Sequence, residues 1–293
     1  MSEHAERIGP TAHYTAYVWR RAGLPHAEHF ATRTGAVLYW GFFVLGEWAT
    51  RLSSTVPTMH EFLEYRHRLI DAVVAELRPG CVVELGAGLT RRAVTWAADH
   101  GVPGLELDLP AMAAIKRRAL ARAPAALRER LRGRHAVHDA DALAPEFAAR
   151  LASLLREHQR PVVILEGVVG YFDAGPRARM FAAVAQALRE AGGGHMVCDL
   201  HTVAAQARVG WATHVLKAAT RSLTRRRKAQ DPFADLDAVA RTLDVAGFDA
   251  WHEEHPEHHQ RAQPRLARLR SPAHVIVARV DGPALVERPD GLS

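Results

Sequence analysis

From Arg78 onward the chain alternates short, β-rich apolar runs with longer stretches whose apolar residues recur at helical spacing. That alternation predicts a parallel sheet with helices on both faces. The expected strands are Cys81 to Leu85, Gly104 to Asp108, His135 to Asp139, Pro161 to Glu166, His195 to Leu200, Phe248 to Glu253 and His274 to Val280. Between them Thr90 to His100, Ala111 to Arg122, Ala142 to His158 and Pro176 to Ala191 carry helical periodicity. Gly101, Pro124 and Gly192-Gly193-Gly194 stand where three of those helices should stop. The polar, proline-containing stretch from His255 to Pro272 joins the last two strands without a clear helix, which predicts an antiparallel return at one edge of the sheet.

Ahead of the sheet, residues 1 to 57 hold Tyr14, Tyr17, Trp19, Phe30, Tyr39, Trp40, Phe42, Phe43 and Trp48. They predict a helical cap over the ligand edge of the sheet, with most rings packing the cap in place. The apolar run Ala36 to Leu45 reads as a buried helix of that cap, being far short of the roughly 20 residues that span a bilayer. The expected division is a cap at 1–57, a sheet domain at 58–284 and a tail at 285–293.

A hydrophobic share of 48% and a charged share of 24% suit a globular enzyme and argue against long disorder. The formal charge of +6 points to nucleic acid only if the cations cluster. They are mostly scattered arginines; the one dense run, Arg225 to Lys228, reads first as a solvated helix face, with a surface for an anionic partner as the alternative. No apolar segment follows the polar start Met1 to Arg7, so the expected location is the cytoplasm. Cys81 and Cys198 fall in strand-like runs, where a thiol behaves as a small hydrophobe. Proline interrupts the histidine-rich stretch His252 to His259, and no metal site is expected there.

In an open parallel sheet, ligands lie at the carboxyl ends of the strands. The first strand runs into Glu84-Leu85-Gly86-Ala87-Gly88, whose glycines let backbone approach a ligand. A nicotinamide dinucleotide is one candidate. Its fingerprint, however, requires a third glycine where Arg91 stands, and Glu84 would repel a pyrophosphate. S-adenosylmethionine, with a sulfonium, an ammonium and no phosphate, suits the carboxylate better. Further acids stand at the next strand ends: Asp108 for ribose hydroxyls with Glu106 one step deeper, Asp139-Ala140-Asp141 for an adenine amino group, and Glu166 beside the reaction centre.

Four segments in this order resemble the leucine carboxyl methyltransferase family: Arg66 to Asp71, Val83 to Leu89, Glu106 to Pro110 with Lys116, and Glu166 to Tyr171. That family is one of class I S-adenosylmethionine-dependent enzymes and includes bacterial polyketide O-methyltransferases. The resemblance implies a Rossmann-like α/β fold with a seven-stranded, mostly parallel sheet. It implies that Arg66 holds the methionine carboxylate, Gly86 lies against the cofactor, Asp108 holds the ribose, Asp139 and Ala140 frame the adenine, and Glu166 meets the amino group. Arg68 is the alternative to Arg66. Two departures stand out: Thr90-Arg91-Arg92 replaces the usual Asp-Thr-Arg, and Gly170 stands beside the expected Tyr171.

The expected cofactor residues are therefore Arg66, Glu84, Gly86, Gly88, Asp108, Asp139, Ala140 and Glu166. Tyr171 and His201 are candidate acceptor-side contacts, His201 being equally suited to capping a helix. The expected activity is O-methylation of a small-molecule carboxylate or hydroxyl in secondary metabolism, leaving S-adenosylhomocysteine. Alternatives are a methyltransferase of a protein carboxylate or RNA, and a noncatalytic or oxidoreductase nucleotide-binding protein.

Overall fold

The computed structural model describes residues 3–44, 58–208, 232–269, 271 and 273–282. Seven strands form one sheet: β1 (Cys81–Leu85), β2 (Gly104–Asp108), β3 (His135–Asp139), β4 (Pro161–Leu165), β5 (Gly194–Leu200), β6 (Ala250–Glu254) and β7 (His274–Val280). Their order is β3-β2-β1-β4-β5-β7-β6. β1 to β5 pair in parallel, whereas β7 runs antiparallel to both β5 and β6. The antiparallel strand thus lies one place in from the edge, inserted between β5 and β6. β1 and β4 are buried along their whole length, which explains why β4 is apolar throughout and β1 is apolar but for Glu84. The edge strands β3 and β6 are partly exposed.

The helices begin with α1 (Glu3–Arg21) and α2 (Arg33–Phe42), followed by α3 (Met59–Leu77) ahead of β1. Then come α4 (Arg92–Asp99), α5 (Pro110–Ala121), α6 (Ala125–Leu131), α7 (Phe147–Leu155) and α8 (Ala174–Glu190). After β5 lie α9 (Val203–Arg208) and α10 (Leu236–Ala246), and a single turn, α11 (Pro256–His259), follows β6. The region after Pro124 is helical again, which the periodicity did not signal. The helix expected from Ala142 starts only at Phe147, after a turn in which Leu143 N donates to Asp141 Oδ1 at 2.9 Å.

Two apolar layers sandwich the sheet. Cys81, Val83 and Leu85 face a cluster with Phe147, Leu151 and Phe181. Val82, Ile164 and Val197 face Tyr65, Leu69, Ile70 and Val73 of α3. The period of two along a strand places Glu84 on the α3 side with Val82. A capping box fixes the start of α3: Glu61 N donates to Thr58 Oγ1, and Thr58 N donates to Glu61 Oε2.

Most cap rings pack on one another, as Tyr14 does on Tyr39 and Phe42 with centroids 6.1 and 5.5 Å apart. The apolar run from Ala36 is only half buried. Helix α2 turns Tyr39 inward, while Val37, Trp40 and Val44 remain exposed at 73%, 47% and 70%. Both cysteines are free and buried. No described helix is long and apolar enough to cross a membrane, and no described His, Cys, Asp and Glu cluster could hold a metal. The Arg225 to Lys228 run, Trp48 and the tail at 285–293 lie outside the described residues, and the cap boundary at 57 adjoins another such stretch.

Candidate functional site

A cavity of about 340 Å³ opens at the carboxyl ends of the parallel strands, between the sheet and α1. Its floor is the loop after β1, where Gly86 and Gly88 take φ of +62° and +55°. These are left-handed conformations that disfavour any residue with a Cβ. A Cβ on Gly86 would also stand 2.6 Å from Val168 Cγ2.

Asp108, at the tip of β2, reaches across to this loop. Its Oδ2 accepts from Gly88 N at 2.6 Å and its Oδ1 from Leu109 N at 2.7 Å. Each oxygen keeps a second lone pair for a ligand. Burial pushes this carboxyl up to about 6, against the two backbone donors that favour its charge. Ala140 and Asp141 line the next part of the wall, followed by Glu166, Gly167, Val168, Tyr171 and Phe172 after β4.

An ion network holds this wall from behind. Arg92, fully buried, donates to Asp71 Oδ1 at 2.6 Å, to Glu84 Oε1 at 2.9 Å and to Glu166 Oε2 at 2.7 Å. Arg91 pairs with Asp71 and donates through Nε to His67 Nε2 at 3.2 Å. His67 Nδ1 then donates to Glu166 Oε2 at 2.8 Å. Burial, reinforced by the nearby guanidinium groups, outweighs the pull of Glu166 and lowers the His67 pKa to about 3, so its ring is neutral. Burial alone would raise the Glu166 carboxyl, but His67, Arg92 and Arg66 hold it well below the usual carboxylate range.

Arg66 projects from α3 into the cavity wall. Its Nε donates to Glu166 Oε1 and its Nη1 to Asp199 Oδ2, both at 3.1 Å. Nη2 has no hydrogen-bond partner among the described residues and points past Gly167, where a Cβ would stand 3.1 Å from it. Arg68 turns away to Glu64 Oε1 and Ala22 O.

Of the residues expected from sequence, Arg66, Gly86, Gly88, Asp108, Ala140, Glu166 and Tyr171 line this one cavity. Three do not. Glu84 lies beneath the loop, where Thr90 Oγ1 at 2.6 Å and Ala93 N at 3.0 Å donate to the oxygen that Arg92 leaves open. Strand alternation turns it toward α4 and away from a ligand. Asp139 is exposed and paired with Arg117 of α5 at 2.7 Å, so Asp141 occupies the wall instead. His201 stacks on Phe62 with centroids 5.6 Å apart, outside the cavity lining.

The cap supplies what sequence reasoning did not single out. Thr11, Ala12, Thr15 and Trp19, at helical spacing on α1, form the opposite wall. Ala12 Cβ lies 3.2 Å from the position of a Cβ on Gly88. Thr11 Oγ1 and Trp19 Nε1 are buried with no hydrogen-bond partner among the described residues. Lys116 ties cap to loop: its ammonium bonds Thr90 O, pairs with Glu106 at 3.0 Å and sits 4.1 Å from the centroid of the Phe30 ring.

Comparison with known proteins gives the lineage. No curated protein matches the sequence. Among solved structures, the S-adenosylmethionine-dependent methyltransferase SibL in its apo form superposes with a TM-score of 0.53 at 16% identity, over 95% of this chain and 72% of that one. The glycopeptide N-methyltransferase MtfA complexed with S-adenosyl-L-homocysteine gives 0.45 at 21% identity, over 73% and 89%. PigF with SAH gives 0.45 at 10% identity over 69% of this chain, which spans only 50% of PigF's length. The SibL likeness shows a shared fold. The leucine carboxyl methyltransferase family model matches residues 25–185. That match spans more than half of the 293-residue sequence, and the chain belongs to the leucine carboxyl methyltransferase family of methyltransferases.

Proposed function

We propose that this methyltransferase uses S-adenosylmethionine to methylate a carboxylate or hydroxyl oxygen of a small molecule, in secondary metabolism. One observation carries the reading: the cavity wall sets the carboxylates of Asp108, Asp141 and Glu166 against the single guanidinium of Arg66. Such a wall attracts a cationic ligand and repels a pyrophosphate. The glycine loop and the buried, unpartnered donors of the cap fit a ligand that presses on backbone and brings acceptors of its own.

The cofactor supplies a methyl group on a sulfonium that transfers in line to the acceptor oxygen. With the cofactor bound, Asp108 would accept from the ribose hydroxyls, Glu166 would hold the amino group and Arg66 Nη2 the carboxylate. Val168, Tyr171 and Phe172 exclude water from the acceptor side. Holding donor and acceptor in line accounts for most of the rate gain in such a displacement. No described cavity-lining residue is a histidine, cysteine or lysine. The arrangement therefore suits a carboxylate acceptor, which is already ionised at neutral pH; a hydroxyl acceptor would have to pass its proton to water or to a carboxylate of the wall.

Isothermal calorimetry with S-adenosylhomocysteine and with NAD tests this. Saturable binding of the first and none of the second is expected. Binding of NAD alone, or of neither, would overturn the proposal.

A further inference from the structure

The cap helix carries a side chain that the cofactor reading leaves unused. Trp19 is only 3% exposed, lines the cavity, and its indole Nε1 meets no acceptor among the described residues. A buried N–H without a partner is costly, and a ligand in the cavity that Trp19 lines would supply an acceptor. Trp19 stacks on His67 with centroids 4.5 Å apart, and His67 bonds Glu166. This places the indole at the Arg66–Glu166 end of the cavity.

At that end one lone pair of Glu166 Oε1 is left for an amino group, and the other surplus groups are donors. Glu166 Oε1 is engaged by Arg66, and Oε2 by both His67 and Arg92. Arg66 Nη2 and Trp19 Nε1 remain. Two donors left over, one of them cationic, call for an anion with two acceptor oxygens. We propose that Trp19 donates its indole N–H to the amino-acid carboxylate of the cofactor, making the cap helix a determinant of cofactor recognition. This rests on the cofactor assigned above.

The test compares Trp19→Phe with the wild-type chain by calorimetry, using two probes: S-adenosylhomocysteine and its 3-aminopropylthio analogue, which lacks only the carboxylate. Trp19→Phe is expected to bind S-adenosylhomocysteine about ten- to a hundredfold more weakly, the cost of one hydrogen bond to a charged group. Its affinity for the analogue should match that of the wild type. An equal loss for both probes would make Trp19 a packing residue and overturn the proposal, as would no loss for either. Should the variant not fold, the ¹⁵N-labelled wild-type chain decides: one indole N–H resonance should move downfield with S-adenosylhomocysteine and stay in place with the analogue. No such resonance overturns the proposal. A wild-type chain that binds neither probe overturns the cofactor reading itself, whereas a chain that binds both with no role for Trp19 overturns only this inference.

Discussion

On the sheet side of the cavity every carboxylate is already held in the protein alone. Asp108 is fixed by Gly88 and Leu109, Asp141 by Leu143, and Glu166 by Arg66, His67 and Arg92. On the cap side Thr11 Oγ1 and Trp19 Nε1 are buried and have no hydrogen-bond partner among the described residues. The sheet wall is preorganised, its geometry set by backbone donors and buried arginines, so binding needs little rearrangement there. The cap wall offers donors that a bound ligand would satisfy. Affinity should therefore divide between the walls, whereas stability should depend on the sheet wall and the network behind it.

Removing the centre of that network tests the division most severely. Arg92→Ala removes a guanidinium from Asp71, Glu84 and Glu166 at once and leaves the buried Glu84 with no ion-pair partner among the described residues. Breaking buried pairs in this way costs about 3–5 kcal/mol, read as a lower urea midpoint. Asp108→Asn should not lower that midpoint, because it removes a buried charge that costs stability at neutral pH, but it should weaken S-adenosylhomocysteine by about 2 kcal/mol, because a charged acceptor becomes a neutral one. The same residue gives a pH dependence. Its carboxyl protonates at about 6 in the folded chain, against an ordinary 3.8. Its charge thus costs stability at neutral pH, and that cost fades as pH falls through 6. Ligand affinity moves the other way and should drop as pH falls through 6, a dependence absent in Asp108→Asn. Gly86→Ala forces an L-residue into φ +62° against Val168 and should cost about 1–2 kcal/mol in thermal unfolding. At the small end, Asp139→Ala breaks an exposed pair and should change stability by less than about 0.5 kcal/mol, with no change in ligand affinity.

The strands were legible because β1, β4 and β5 lie inside the sheet and are mostly apolar, with Glu84, His195 and Asp199 as the polar exceptions. The glycine loop and Asp108 were legible because ligands gather where parallel strands end. What the sequence could not reveal is the direction in which an acid at a strand end faces. Glu84 and Leu85 are neighbours, yet only Leu85 lines the cavity, and the choice follows from the packing of α3 and α4. Arg117 claims Asp139 at the end of β3, whereas Asp141 in the following turn accepts from Leu143 N and lines the cavity. Thr11, Thr15 and Trp19 share a helix face, but α1 also buries Tyr14, Ala16 and Val18, so its pattern does not mark the face turned to the ligand. The departure Thr90-Arg91-Arg92 becomes intelligible in three dimensions. Arg91 is absorbed by Asp71 and His67, and Thr90 by Glu84.

A crystal structure of the full chain with S-adenosylhomocysteine tests the central claim most directly. The account predicts both ribose hydroxyls within about 2.7 Å of the Asp108 carboxylate, a distance typical of such bonds, and the amino-acid carboxylate on Arg66 Nη2. A ligand bound outside this cavity, or one whose ribose turns from Asp108 to Asp139 or Glu84, would contradict it.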